Sequence, residues 1–113
     1  MSEPINPQKA LEDIAKSAPL YAKAKGERVY LEQYRKTLKA MLMQTAMEAG
    51  HKTVIAQERE AYADPKYQTH LQGLREAVET EERLRWRMVA AEAAVEVWRT
   101  QSANERRMDR GTQ

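Results

Sequence analysis

The chain has 113 residues, 32% charged and 42% hydrophobic, with no Cys, no Phe and a net charge of +2. That length fits one domain whose modest core would gain from a partner, because small folds keep a high ratio of surface to volume. Without Cys there are no disulfides, thiolate zinc sites or cysteine nucleophiles, and no apolar run approaches the roughly 20 residues that cross a bilayer.

The composition, rich in Ala, Leu, Met, Glu, Lys, Arg and Gln, favours helix over strand. Asn6-Pro7 reads as a cap followed by proline in the first helical position, opening a short helix over 7–17 that carries Leu11 and Ile14. Pro19 ends it, since an interior proline removes a helical hydrogen bond. A second helix is predicted over 20–62, with Leu31, Tyr34, Leu38, Met41 and Thr45 in its stripe and a kink near Gly50. Asp64-Pro65 marks the start of a third helix over 65–107, followed by a flexible tail over 108–113. Its stripe reads Tyr67, Leu71, Leu74, Leu84, Met88, Ala91, Val95 and Trp98, and its length is roughly 65 Å at 1.5 Å per residue.

If the chain reverses at Asp64-Pro65, the long helices form an antiparallel, coiled-coil-like hairpin. Leu31 then meets Trp98, Tyr34 meets Val95, Met41 meets Met88, Ile55 meets Leu74 and Tyr62 meets Tyr67. One like-charge layer interrupts the series, where Glu48 faces Glu81. The predicted fold is thus all-α: a long hairpin with a short N-terminal helix, dimerising into a bundle. The dimer is expected because Trp86, Val89, Ala90, Ala93 and Val97 form a second stripe that one hairpin partner cannot cover. In the simpler alternative, the short N-terminal helix covers that stripe within a monomer.

Glu48-Ala-Gly-His51 has the Glu-x-x-His spacing of metal-binding helices. With Glu81 opposite, two copies would supply the ligand set of a di-metal carboxylate bundle. Gly50 inside the motif weakens the helix that must hold it, so an ordinary polar layer with no metal is the expectation. Two His residues without nucleophile spacing or a glycine-rich loop point to a non-enzyme without cofactor.

Charge is unevenly spread: Leu20 to Met47 holds six basic and two acidic residues, Glu48 to Glu82 four basic and eight acidic. Lys25, Arg28, Arg35, Lys36 and Lys39, together with Arg99, Arg106 and Arg107, form a candidate contact for DNA, without sequence specificity, or for an acidic protein. The competing reading is a solvated helical face with pairs such as Glu32 to Lys36. Tyr30 and Tyr34 would stack on bases if exposed.

The runs Glu27-Arg28-Val29-Tyr30-Leu31-Glu32-Gln33-Tyr34-Arg35-Lys36, Gln57 through Pro65, and Glu82-Arg83-Leu84-Arg85-Trp86-Arg87 with Val97-Trp98-Arg99, resemble small helical proteins of tailed bacteriophages and prophages. The resemblance implies a phage accessory factor in DNA replication or recombination, acting in the host cytoplasm. It carries no catalytic residues. Two alternatives stand beside it: an adaptor or inhibitor that binds only a host or phage protein, and the di-metal bundle.

Overall fold

The computed structural model describes residues 4–111, and among these the chain is all-α with three helices and no strand. Helix α1 spans Pro7–Glu48, α2 Val54–Ala63 and α3 Pro65–Gly111. No helix among the described residues is long and apolar enough to cross a membrane. Among the described residues, contacts divide the chain into two compact units, residues 23–81 and a second made of 4–22 with 82–111.

Helix α1 starts where Asn6-Pro7 predicts. The Asn6 side-chain oxygen accepts from the backbone N–H groups of Gln8 (3.0 Å) and Lys9 (3.2 Å), satisfying two donors that have no carbonyl partner. The expected stop at residue 17 does not occur, for α1 continues through Pro19. An interior proline costs about 3 kcal/mol relative to alanine. Ala10 and Ser17 before it and Ala24 after it are buried, so the helix is packed on either side of the proline along the chain. These positions recur every seven residues and continue to Leu31 and Leu38, so α1 lays down one inward seam made mostly of small side chains.

The kink expected near Gly50 is a complete break. Gly50 takes φ +110°, its N–H donates to the Met47 carbonyl (3.1 Å), and the His51 N–H donates to the Ala46 carbonyl (3.0 Å). This pair of bonds is the Schellman closure, which needs a left-handed residue just past the helix end. Thr53 then caps α2, its hydroxyl accepting from the Ala56 N–H at 3.1 Å. At the next junction the Asp64 carboxylate accepts from the Lys66 N–H at 2.8 Å, and Pro65 opens α3. Helix α3 continues to Gly111 where a tail from 108 was expected; residues 112 and 113 lie outside the described residues.

In the 23–81 unit, α2 folds back so that Ala61 joins Leu38, Leu42 and Tyr67 in a small core, with Met43 and Leu71 at its edge. Tyr62 and Tyr67 meet edge to face at 5.2 Å, as the turn predicts. The remaining register differs. Leu31 and Tyr34 both meet His70, and Ile55, expected against Leu74, is 71% exposed. A register that counts 54–63 as a prolongation of α1 fails because α2 is a separate return element.

Two substitutions test this account. Leu42→Ala should destabilise by about 2–4 kcal/mol through the cavity it leaves. Gly50→Ala should lose about 1–2 kcal/mol from backbone strain alone, because no heavy atom lies within 4 Å of the added methyl. Urea unfolding of each purified variant measures both.

Candidate functional site

The 23–81 unit is held by a network of charge and hydrogen bonds between α1 and α3. Glu81 is only 6% exposed and accepts from the Arg28 guanidinium through both oxygens, one bond from Nε and one from Nη2 at 3.2 Å. Arg28 Nη1 also donates to Glu32 at 3.0 Å, one helical turn along α1. The bond to Glu81 first, then that to Glu32, holds the Arg28 pKa above its already high ordinary value. A bidentate guanidinium–carboxylate pair fixes direction as well as distance, so it sets both rotation and register of the helices.

Further along α1 a side-chain-to-backbone bond joins the same two helices. The His70 Nε2 lies 2.7 Å from the Leu31 carbonyl, which only accepts, so Nε2 carries the proton. The same ring tilts against Tyr34 at 5.5 Å, while Tyr34 stacks on the exposed Tyr30 at 6.1 Å. Lys39 reaches α2, lying 3.5 Å from Glu58 and 4.9 Å from the centre of the Tyr62 ring. Tyr62 first and Glu58 second raise the Lys39 pKa, against the lowering effect of partial burial.

These contacts sort the basic residues read from the sequence. Arg28 and Lys39 are committed to carboxylates inside the unit, whereas Lys25, Arg35 and Lys36 are exposed along α1. On α3, Arg99 pairs with Glu96 at 3.0 Å. Arg106 and Arg107, joined by Arg110, surround a shallow open site of about 400 Å³. These three guanidinium groups, interspersed with Glu105 and Asp109, leave a modest positive charge near a helix C-terminus, where it complements the helix dipole.

The Glu-x-x-His spacing does not place its two side chains on one helical face. Glu48 is the last residue of α1, and His51 lies in the following turn with Nε2 3.9 Å from Glu60. Glu81, expected opposite Glu48, is bound to Arg28. Among the described residues, no group of three or more His, Asp or Glu is arranged to hold a metal ion.

The other unit presents the apolar stripe. Leu84 and Ala91 are buried, with Met88 and Val95 partly covered. On the opposite side of α3, Trp86 is 57%, Val97 47% and Val89 38% exposed, with exposed Ala90 and Ala93 between. The order Trp86, Ala90, Ala93, Val97 steps by four, three and four, the spacing of a coiled-coil seam, and none of its members is charged. Trp98, expected in the inward seam, is also among the exposed large side chains. Beside the stripe, α1 and α3 enclose an open groove of about 610 Å³, floored by Ala10, Ala90 and Ala94 and rimmed by Lys9, Asp13 and Arg87. The groove was not legible in the sequence, because its α1 wall consists of small and polar residues that carry no hydrophobic stripe.

Compared with protein-family models, curated proteins and solved structures, the chain matches none. The arrangement itself offers two surfaces: an uncharged helical stripe beside a shallow groove, and an arginine cluster.

The ion pair yields a prediction by thermodynamic cycle. Arg28→Met should lower the thermal midpoint sharply, because the Glu81 carboxylate then remains buried beside an apolar side chain. The Arg28→Met/Glu81→Met double variant should recover most of that loss. Thermal melts followed by circular dichroism on both single variants, Arg28→Met and Glu81→Met, and on the double would contradict the pairing if the two single losses simply added.

Proposed function

We propose that this chain is a non-enzymatic helical interaction protein that associates through the outer face of α3 and contacts a polyanion such as DNA through its exposed arginines. The observation that carries the reading is the uncharged stripe from Trp86 to Val97, left in water on a helix whose other side is already packed. Contiguous exposed apolar surface of this kind marks an association site, since isolated proteins rarely retain it. Such helix-on-helix association uses the same seam geometry that the chain already employs internally.

For the polyanion, Arg106, Arg107 and Arg110 form the primary contact, supplemented by Lys25, Arg35 and Lys36. Arg28 and Lys39 act inside the fold instead, as the partners of Glu81 and Glu58. Binding of this type neutralises backbone phosphates and releases counterions, so it is sequence-independent and weakens steeply with salt. Exposed Tyr30 offers a face on which a single-stranded base would stack. The resemblance to phage-encoded helical proteins is what directs the reading to an accessory role in DNA replication or recombination.

Two measurements test the two halves. Light scattering should give a multimer for the unmodified chain and a monomer for Trp86→Glu/Val97→Glu, with helicity unchanged. A monomeric unmodified chain would contradict association through this face. In a gel shift with short single-stranded DNA at low salt, Arg106→Glu/Arg107→Glu/Arg110→Glu should abolish retention. Retention unchanged in that variant would remove the arginine cluster from the account. A chain that multimerises yet never retains DNA would be a protein-only adaptor.

A further inference from the structure

The rings along α1 form a ladder that ends in water. His70 is fixed to the Leu31 carbonyl at 2.7 Å, Tyr34 rests against its ring at 5.5 Å, and Tyr30 stacks on Tyr34 at 6.1 Å with the planes 14° apart. Each ring is thus held by the one before it. Tyr30 is 62% exposed, so its face turned away from Tyr34 meets solvent.

Helical side chains lean toward the N-terminus, so the turn that borders this free face is the preceding one, where the residue in line with Tyr30 is Gly26. A methyl group added at Gly26 would meet no heavy atom within 4 Å. Apart from proline, glycine is the poorest helix former, yet Gly26 stands in the interior of α1. Its effect is to leave a slot between the Tyr30 ring and the turn below. An open position over a fixed aromatic face suits a planar ring, which stacks there at little ordering cost to the protein.

The border of the slot selects the kind of ring. Glu27 and Gln33 lie three residues before and after Tyr30, on either side of it around the helix. Both are exposed, and neither side chain makes a hydrogen bond among the described residues. A nucleobase carries donors and acceptors around its edge that a carboxylate and an amide can meet. An aromatic side chain of a protein partner would instead bring an apolar edge against both. Lys23, two turns below Tyr30 on the same face, and Lys36, one turn beyond Gln33, are exposed and form no ion pair among the described residues. Cations in these places attract the phosphates that flank a stacked base.

We propose that Tyr30, backed by Tyr34 and His70 and left uncovered by Gly26, is a stacking site for one unpaired base of a single-stranded nucleic acid. The proposal rests on the reading of this chain as a polyanion binder, and adds to its charge contacts a contact with the base itself.

Anisotropy titrations at low salt test it with two labelled probes of equal length, a single-stranded DNA of mixed sequence and an abasic strand carrying the same phosphates. The unmodified chain should bind the base-bearing strand at least tenfold more tightly than the abasic one. Tyr30→Ala and Gly26→Leu should each remove that difference and leave the abasic strand bound as before, with circular dichroism checking the fold. Gly26→Leu separates stacking from a structural effect. The leucine enters open space, favours helix and packs against Tyr30 one turn on, so the thermal midpoint should rise while binding falls. A base-bearing strand held no better than the abasic one, or held equally well by both variants, overturns the proposal and leaves the polyanion reading in place. A chain that binds neither probe overturns both.

Discussion

Removing a carboxylate from water is costly unless a cation and hydrogen-bond donors replace the solvent, and Glu81 obtains both from Arg28. Two helices joined by sparse apolar contacts slide easily by one turn, because each turn presents a similar surface. A bidentate ion pair at a single level forbids that slip, since any shift leaves Glu81 buried without its cation. The His70 bond to the Leu31 carbonyl holds the same two helices in the same register. Beside these contacts the packing relies on small residues such as Ala24 and Ala77, which permit close approach but specify little.

Once that register is set, the remaining features of the 23–81 unit follow. Helix α1 extends beyond the contact with His70, and its surplus turns carry Leu38 and Leu42, which neither α3 nor the turn alone would cover. Helix α2 covers them, folding back from the Gly50 closure so that Ala61 lies against both leucines and Tyr67. Lys39, between Glu58 and Tyr62, ties the return element to α1 at its exposed edge. In the other unit, the inward positions Leu84 and Ala91 are buried, while Trp86 and Val97 on the far side of α3, and Leu11 and Leu20 on α1, remain exposed.

What the sequence makes legible follows from the range of the forces involved. Local signals are plain in it: the Asn6 cap, Pro7 and Pro65 in first helical turns, and the interruption at Gly50 each depend on a few neighbouring residues. The second stripe is also visible, because Trp86 and Val97 fall on a different side of any helix from Leu84 and Ala91, whatever its partner. Pro19 misleads because α1 runs through it with buried positions before and after, a tertiary context with no local trace. The register misleads because apolar periodicity on α1 and α3 satisfies several offsets. The pairing of one arginine with one glutamate, together with the His70 bond to α1, selects among them, and a chain with many charged residues hides that choice. The groove stays hidden for a related reason, since Ala10, Asp13 and Lys9 acquire meaning only beside Ala90 and Arg87.

The central claim is the register of the 23–81 unit, and the absence of natural cysteine makes it directly measurable by engineered thiols. Tyr34→Cys/His70→Cys joins positions whose rings lie 5.5 Å apart, whereas Ile55→Cys/Leu74→Cys joins positions that meet only in a hairpin prolonged through α2. A short thiol-reactive bifunctional crosslinker at low protein concentration, read by mass spectrometry of proteolytic fragments, should join the first pair within one chain and leave the second unlinked. Closure of the Ile55/Leu74 pair with the Tyr34/His70 pair left open would contradict the account.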